Sequence, residues 1–507
     1  MSRRTLAAAL ALFCLGRLPS FFEPHWYTDE GGYTATAKGL LNGKLLYAGI
    51  WNNKPPLHLW TVALVLRLFG PSEAWLHLLT FIAGLATLAA VVWVAPRLLG
   101  PRAVAVVVLS CAVLLGTPLL DGELALPETL LAVPAAWAGA LLLARLSDRG
   151  AGRSDAGWWP LAVGALAAVA IAYQQTALAD AAAFGVVLLL SPLTGRRDVL
   201  LYAAAVIVPT AAWLLTVVAL AGGSNVAFAL AGFYIPYEHG SIPALGAGRV
   251  LYGLGLVAAA GLVLVGAYAK RRQGVAWAAA IWAVFALLVP AVAQKPYPHF
   301  LLPSLVPVAL AVPLLVRREW FTGARAAQLS AGAMAAALLI AGVMARSAGV
   351  DWIPPLSGHG YNGFRTLTTY YADPVPFLVQ TGSLDGWQNK FDGRVSGDRD
   401  VAAWVKRDGL AGSTAVIWSG DAWLYSTAGL EQVMPTAPIY NDFVLLGSDG
   451  QVGGRVRQLA PDLIIVATQD SDEFPEIRGV LQDSYRPVFA SGEDTVWVRA
   501  DLPNPPP

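Results

Sequence analysis

Acidic and basic residues of this chain are concentrated in a few short segments between apolar stretches. Asp29 and Glu30 directly follow the first apolar stretch, and Lys54 follows later in the same segment. A carboxylate at a polar–apolar boundary can act as a general base toward a hydroxyl group. A lysine, or a divalent metal held by glutamate and histidine, can neutralise a phosphate leaving group. These residue types therefore suit the transfer of a group from a phosphate carrier to a hydroxyl.

Three further segments carry residues of the same kinds. They are 119–128 with Asp121, Glu123 and Glu128, 222–248 with Phe233, Tyr234, Tyr237, Glu238 and His239, and 294–307 with Lys295, Tyr297 and His299. Each has an ordinary structural explanation, because acidic turns are often solvated, histidines among aromatic rings are often structural, and a lysine can anchor a helix end. Asp29 can likewise favour a helix dipole as a cap. In a membrane protein with the topology that the lysines and arginines of this chain predict, all four segments lie on one side of the membrane, and this favours a shared site.

The elements that must position these residues are membrane helices. Of the 507 residues, 56% are hydrophobic and 13% are charged, whereas about 25% of a soluble protein is charged. A bilayer core needs about 20 apolar residues in a helix, because lipid leaves backbone polar groups without other partners. Spans are predicted near 5–22, 74–95, 103–119, 128–145, 158–173, 176–192, 200–221, 249–269, 275–293, 299–316 and 325–346.

Composition also excludes some classes of site. The opening stretch resembles a signal peptide, but it has no small-residue cleavage site before Pro19, so we interpret it as an uncleaved first helix. Cys14 and Cys111 lie in apolar spans, which predicts neither a disulfide nor a cysteine metal site. The net charge of +1 gives no indication of a nucleic-acid partner, and none is expected.

The distribution of lysine and arginine predicts the topology. Cationic residues accumulate in short cytoplasmic loops, so Arg3 and Arg4 place the N-terminus inside, together with the arginine-rich loops near 97–102, 145–153, 196–197, 270–272 and 317–325. Eleven spans then place the tail from Ser347 outside. The membrane is expected to be the plasma membrane of a cell. The alternate, outer loops are the ones that contain the four chemically interesting segments.

The first outer loop, 23–73, and the tail have recognisable patterns of their own. Residues 32–43 predict a surface helix that ends at Asn42-Gly43, and 57–70 predict a second interfacial helix too short to cross. In the tail, 413–418, 462–467 and 495–500 read as strands and 398–410 as a helix. The fold class predicted is a polytopic all-α membrane domain of about 11 helices (1–346) followed by a soluble α/β domain (347–507).

The order of these motifs resembles a known family. Asp29-Glu30, a surface helix and then the segment KPPLHLW (54–60) are similar to the GT-C integral membrane glycosyltransferases, in the branch of protein O-mannosyltransferases and the lipid A aminoarabinose transferase. The segment YPHFLLPSLVP (297–307) also resembles these enzymes, and the match covers most of 1–320. Asn53 differs, because the aminoarabinose branch has a glutamate there, so neither the same metal site nor the same sugar follows.

The resemblance implies a role for each matching residue. Asp29, paired with Glu30, would be the base that activates an acceptor hydroxyl, and Lys54 would contact the phosphate of a polyprenyl-phosphate sugar. The acid of the second outer loop would be Asp121, with Glu123 and Glu128 as alternatives. The other candidates form two sets: substrate-binding His58, Tyr237, Glu128, Lys295, Tyr297 and His299, and metal-binding Glu238 and His239. The family implies inversion at the anomeric carbon, and it leaves open whether a divalent metal is required.

Three hypotheses for function follow from these observations. The first is a polyprenyl-phosphate-sugar-dependent glycosyltransferase acting at the outer face on a glycan, lipid or protein acceptor. The second is a transporter or flippase, which predicts ionisable residues near the middle of the spans, where Asp180 with Gln174 and Gln175 is the main candidate. The third is a membrane-anchored scaffold, which leaves Asp29 and Lys54 unexplained. The sugar, hexose or pentose, is not determined by the sequence.

Overall fold

The computed structural model describes most of the chain in two compact units. The described residues are 1–153, 157–234, 247–269, 274–293, 297–315, 370–371, 376, 379, 382–437, 439–446, 451–467 and 475–503. We call Met1–Ser20, His77–Leu215 and Pro243–Ile353 the helical unit, and Phe21–Leu76, Thr216–Ile242 and Pro354–Pro507 the loop–tail unit. The division by compactness thus groups the first outer loop with the tail. The predicted boundary at residue 346, between membrane and water, is a different property and stays a prediction.

The part of the chain before the tail is helical. Its α-helices are α1 Arg3–Arg17, α2 Thr28–Leu41, α3 Pro56–Phe69, α4 Glu73–Leu98, α5 Pro101–Gly116, α6 Pro127–Gly150, α7 Trp159–Tyr173, α8 Leu178–Leu190, α9 Arg196–Ala221, α10 Gly223–Ala227, α11 Ala247–Ala269, α12 Gly274–Ala293 and α13 Leu305–Leu315. Shorter 3₁₀ segments are Pro19–Phe22, Pro118–Leu120, Gln175–Ala177 and Pro298–Ser304, and a π-helical turn covers Phe228–Gly232.

Six of the described helical segments are long and apolar enough to cross a membrane. They are Arg3–Phe22, Glu73–Leu98, Pro127–Gly150, Arg196–Ala221, Gly274–Ala293 and Pro298–Leu315. Four shorter apolar helices occupy the other predicted spans before residue 316. The last predicted span, 325–346, lies outside the described residues, so the total of about eleven stays a prediction.

Small residues allow close packing within the helical unit. A Cβ atom added to Gly16 of α1 would lie 2.4 Å from the carbonyl oxygen of Gly116 at the end of α5. Gly139 of α6 likewise leaves room for the ring of Trp282 in α12. Between apolar helices in lipid, such close approach supplies the dispersion contacts that hold them together. Trp282 also donates a hydrogen bond of 2.7 Å to Asp180 of α8, which satisfies a buried carboxylate.

The loop–tail unit contains the two short helices predicted in the first outer loop. α2 ends at Leu41, just before Gly43 with φ of 81°, and α3 ends before Gly70 with φ of 82°. Glycine takes up this left-handed conformation without the steric cost of a Cβ atom. The predicted helices and their glycine stops are therefore present in the structure.

The tail is an α/β domain, as predicted. Its strands are β1 Thr414–Trp418, β2 Glu431–Gln432, β3 Leu463–Ala467, β4 Tyr485–Ser491 and β5 Asp494–Arg499, in the sheet order β2-β1-β3-β5-β4. β1 is parallel to β2 and β3, and β5 is antiparallel to β3 and β4. The tail helices are α14 Leu384–Gln388, α15 Val395–Arg407, α16 Leu424–Thr427, α17 Ile439–Leu446, α18 Gln451–Leu459 and α19 Glu476–Ser484. Residues of α15 pack on one face of the sheet, and those of α18 and α19 on the other.

Polar contacts fasten the first outer loop to the tail inside this unit. The Nζ atom of Lys38 donates to the carbonyl oxygens of Tyr425 and Leu430 at 2.8 and 2.7 Å. The amide of Trp51 donates to the carbonyl oxygen of Pro435 at 2.8 Å. Burial lowers the pKa of Lys38 to about 8, but a neutral amine keeps two N–H groups, so both bonds survive loss of the proton.

We expect the substitution Lys38→Met to loosen α2 from the tail. It leaves two partly buried carbonyl groups without their donor, which costs about 1–3 kcal/mol. The measurement is hydrogen–deuterium exchange of the full-length protein, with faster exchange in α2 and in 424–430. The control is Lys406→Met, at an exposed position of α15; equal exchange in the two variants would show that Lys38 does not hold the unit together.

Candidate functional site

Asp29 and Glu30 lie in the first turn of α2, and their environments differ. Asp29 is half-buried, whereas Glu30 has only 1% of its surface exposed. Carboxylates are stabilised at this end of a helix by the positive end of its dipole. Asp29 is thus the more accessible of the two acids.

Lys54 is held at the head of α3 by contacts of its backbone. Its amide donates to the side chain of Asn52 at 3.2 Å, and its carbonyl oxygen accepts from the hydroxyl of Tyr47 at 2.7 Å. The side-chain amide of Asn52 donates in turn to Thr36 of α2 at 3.3 Å. The loop between the helices is therefore tied to α2 two residues before Lys54.

An aromatic contact joins the N-terminal parts of α2 and α3. The rings of Tyr33 and His58 meet edge to face, with centroids 4.6 Å apart. Asp29 lies one helical turn before Tyr33, and Lys54 lies the same distance in sequence before His58. Burial, with a smaller contribution from Lys54, lowers the pKa of the fully buried His58 to about 3, so this imidazole is neutral at physiological pH.

Phe233 and Tyr234, at the end of the described part of segment 222–248, pack on the segment that holds Lys54. The ring of Trp51 contacts that of Phe233, with centroids 4.6 Å apart, and the hydroxyl of Tyr234 donates to the carbonyl oxygen of Asn53 at 3.4 Å. The candidates Tyr237, Glu238 and His239 follow closely in sequence but lie outside the described residues.

The helices α2 and α3 form a hairpin, and two buried glutamates near it were not identified from the sequence. A carboxylate oxygen of Glu73, the first residue of α4, lies within 4.8 Å of one of Glu30. Glu23 accepts hydrogen bonds from Trp26 at 3.2 Å and from the hydroxyl of Tyr370 at 2.5 Å. The signal in the sequence is an acid directly beside a predicted span, Glu23 after 5–22 and Glu73 before 74–95.

A groove of about 630 Å³ lies in the same unit, where the start of the first outer loop faces α15. Its lining includes Glu23, His25, Glu73, Asp398, Arg399 and Trp423. Acidic, basic and aromatic side chains in one groove suit a polar ligand with several hydroxyl groups, which they can hydrogen-bond and stack against.

In the helical unit, the structure joins two candidates that lie far apart in sequence. The Nδ1 atom of His299 lies 3.0 Å from a carboxylate oxygen of Asp121, and both residues are buried. The half-exposed ring of Tyr297 stacks parallel to His299 with centroids 5.6 Å apart. The backbone of Asp121 itself has the left-handed conformation, with φ of 50°. Lys295 lies outside the described residues.

The other two acids of the second outer loop have structural partners. Glu123 lies 3.9 Å from Arg17, whose guanidinium also donates to the carbonyl oxygen of Thr80 at 3.1 Å. Glu128 accepts a hydrogen bond of 2.8 Å from the side chain of Gln174. Asp121, with its histidine, is therefore distinguished from Glu123 and Glu128 by its partner.

Comparisons with known proteins agree with this architecture. Residues 53–220 match the model of the dolichyl-phosphate-mannose-protein mannosyltransferase family. No curated protein sequence matches the chain. The crystal structure of ArnT from Cupriavidus metallidurans bound to undecaprenyl phosphate is similar with a TM-score of 0.64 and 18% identity, over 99% of this chain and 98% of that one.

Two more solved structures share the fold. The apo form of the same ArnT has a TM-score of 0.60 and 18% identity, over 97% of this chain and 96% of that one. The oligosaccharyltransferase of Archaeoglobus fulgidus in complex with Zn and sulfate has a TM-score of 0.50 and 13% identity, over 92% of this chain and 68% of that one. The resemblance predicted from the motifs is confirmed: this membrane protein has the fold of the GT-C glycosyltransferases.

Proposed function

We propose that the chain transfers a sugar from a polyprenyl-phosphate carrier to an acceptor hydroxyl. The observation that carries the proposal is the edge-to-face contact of Tyr33 in α2 with His58 in α3, because Asp29 and Lys54 each lie four residues before one of these two rings. A base and a cation held on one rigid piece are what this reaction needs, because a proton leaves the acceptor while charge develops on the phosphate. The similarity to the mannosyltransferase model over 53–220 and to ArnT supports the same reaction class.

The proposed mechanism is a single displacement. Asp29, assisted by Glu30, takes the proton of the acceptor hydroxyl, and the oxygen attacks the anomeric carbon. The bond from that carbon to the phosphate oxygen breaks on the opposite side, so the configuration inverts and polyprenyl phosphate leaves. Lys54 and the positive end of the α3 dipole stabilise the phosphate as it departs.

The remaining candidates have supporting roles in this proposal. Asp121 and His299 form a second acid–imidazole pair, and Tyr297 offers a ring on which a sugar can stack. The proposed substrate-binding set also includes His58, Glu128, Tyr237 and Lys295. The buried His58 fixes Tyr33 and the α3 terminus, and it acts through its neutral form.

A divalent metal is compatible with the residues of this unit. Glu30 and Glu73 are both buried and have carboxylate oxygens within 4.8 Å of each other. A cation between two buried carboxylates at this distance would relieve the repulsion of their like charges. Glu30 and Glu73 would hold the ion, and a bound ion would supply positive charge for the carrier phosphate. Glu238 and His239, which lie outside the described residues, stay proposed metal ligands from the sequence.

The transporter hypothesis has less support than the transferase. Its main candidate, Asp180, accepts a hydrogen bond from Trp282, and Gln174 donates to Glu128. The burial of Asp180 and Gln174 therefore has a structural explanation in hydrogen bonds within the helix bundle.

The first prediction from the proposed mechanism concerns the base, Asp29. Asp29→Asn removes the proton acceptor but keeps the size and the helix, so transfer should fall by about 10²- to 10⁴-fold. The assay offers polyprenyl-phosphate mannose, glucose, galactose and arabinose in turn to nanodisc-held protein. Asp483→Asn, at an exposed position of the tail, is the matched control; full activity of Asp29→Asn would exclude Asp29 as the base.

The second prediction concerns the carrier phosphate. Lys54→Ala should lower kcat/KM for the lipid-linked donor by about 10²-fold or more, since a charge-assisted contact to the leaving group is lost. Lys54→Arg keeps the positive charge and should retain part of the rate. Equal binding of polyprenyl phosphate by wild type and Lys54→Ala, with unchanged turnover, would remove Lys54 from the site.

The third prediction concerns orientation, which we propose from the distribution of cations. The N-terminus should be cytoplasmic, and the tail and the outer loops should lie on the far side of the plasma membrane. Alkaline phosphatase fused after Pro507 should be active, and fused after Gly195 it should be inactive. The reverse pattern would place the reaction on the cytoplasmic face.

A further inference from the structure

Three aspartates of the tail come together at one end of the sheet. Asp398 belongs to α15, Asp421 follows β1, and Asp494 begins β5, where it pairs with Ala467 at the end of β3. The three residues therefore lie at the carboxyl ends of the parallel strands β1 and β3. This edge is where open α/β sheets generally bind ligands.

The carboxylates are close together and largely removed from water. One oxygen from each lies within 4.8 Å of the others, and Asp494 is only 1% exposed. Among the described residues, no hydrogen-bond donor other than the carboxyl group of Asp398 reaches either oxygen of Asp494. A buried carboxylate without a donor is costly, so this arrangement calls for a proton or a cation.

The protein supplies too little positive charge for the cluster. Arg394 lies 3.3 Å from a carboxylate oxygen of Asp421, but its guanidinium also makes two hydrogen bonds to Asp392, of 3.0 and 3.1 Å. One arginine that is shared with Asp392 therefore does not balance three neighbouring carboxylates.

We propose that Asp398, Asp421 and Asp494 bind a hard divalent cation, Ca²⁺ or Mg²⁺. Two oxygens on opposite sides of a calcium ion, each at about 2.4 Å, are about 4.8 Å apart. The donors are oxygens only, which these ions prefer. Gly397 keeps the space open, because a Cβ atom there would lie 2.8 Å from both Asp494 and the carbonyl oxygen of Ser491. The ion enters from the groove, which Asp398 lines.

The ion joins three separate parts of the tail and acts on the loop that follows β1. This loop, 419–423, lies against α2: a Cβ atom on Gly31 would be 2.7 Å from the backbone nitrogen of Trp423. Fixing Asp421 therefore fixes the surface against which the first turn of α2 packs. The site is independent of the proposed reaction and is separate from the Glu30–Glu73 pair.

The test is thermal unfolding of the full-length protein in detergent, followed by tryptophan fluorescence. After treatment with EDTA, CaCl₂ or MgCl₂ is added to wild type, Asp494→Asn and the exposed control Asp483→Asn. We expect Ca²⁺ or Mg²⁺ to raise the Tm of wild type and of the control by several degrees, and to raise the Tm of Asp494→Asn by clearly less. Elemental analysis should find one more bound ion per chain in wild type than in the variant.

Two results would overturn the proposal. If neither ion shifts the Tm of wild type, the three acids share a proton instead of a cation. If Asp494→Asn responds as wild type does, the ion binds elsewhere, for example between Glu30 and Glu73. Asp421→Asn serves as a second variant if Asp494→Asn does not fold, and its Tm must likewise rise by clearly less than that of wild type.

Discussion

A carboxylate that is taken out of water has to find a donor, a counter-ion or a proton, and this requirement organises the polar contacts of the whole chain. Glu128 is satisfied by Gln174, Asp180 by Trp282, and Asp121 by His299. Each pair ties together segments that are distant in sequence, so the acids act as fasteners within their unit. Where two or three acids meet without enough cations, the same requirement points to a bound ion. Function and stability thus depend on one electrostatic rule.

This rule also separates candidate chemistry from ordinary structure. Glu123 lies beside Arg17, and its position is explained by helix packing. Asp29 is half-buried at a helix start, within reach of solvent, and its helix is tied through Thr36 and Asn52 to the segment that holds Lys54. Accessibility combined with rigid support is what a general base needs, because it must meet a substrate and yet keep its direction. The hairpin of α2 and α3 supplies both properties.

Local sequence patterns predicted helices and strands, but they did not predict contacts between residues that are far apart in the sequence. α2, α3 and the strands β1, β3 and β5 follow from apolar runs and glycine stops, which are written in consecutive residues. The Asp121–His299 pair joins positions that only the folded bundle brings together. Glu73 looked like the edge of a span, because its partner Glu30 lies beyond a loop. The sequence did not predict that the first outer loop packs on the tail. Lys38 donates to backbone carbonyl oxygens, and because every residue has one, no residue type marks the partner.

The hydrogen bonds from Lys38 to Tyr425 and Leu430 also imply an order of events during biosynthesis. At about 5–20 residues per second, the roughly 350 residues between Leu76 and Tyr425 take about 20–70 s to translate. Throughout this interval the first outer loop has left the ribosome without the domain that receives its lysine. A nascent chain therefore has its first outer loop without the carbonyl partners of Lys38 until 425–430 have been translated. Completion of the loop–tail unit is in this sense coupled to translation of the tail.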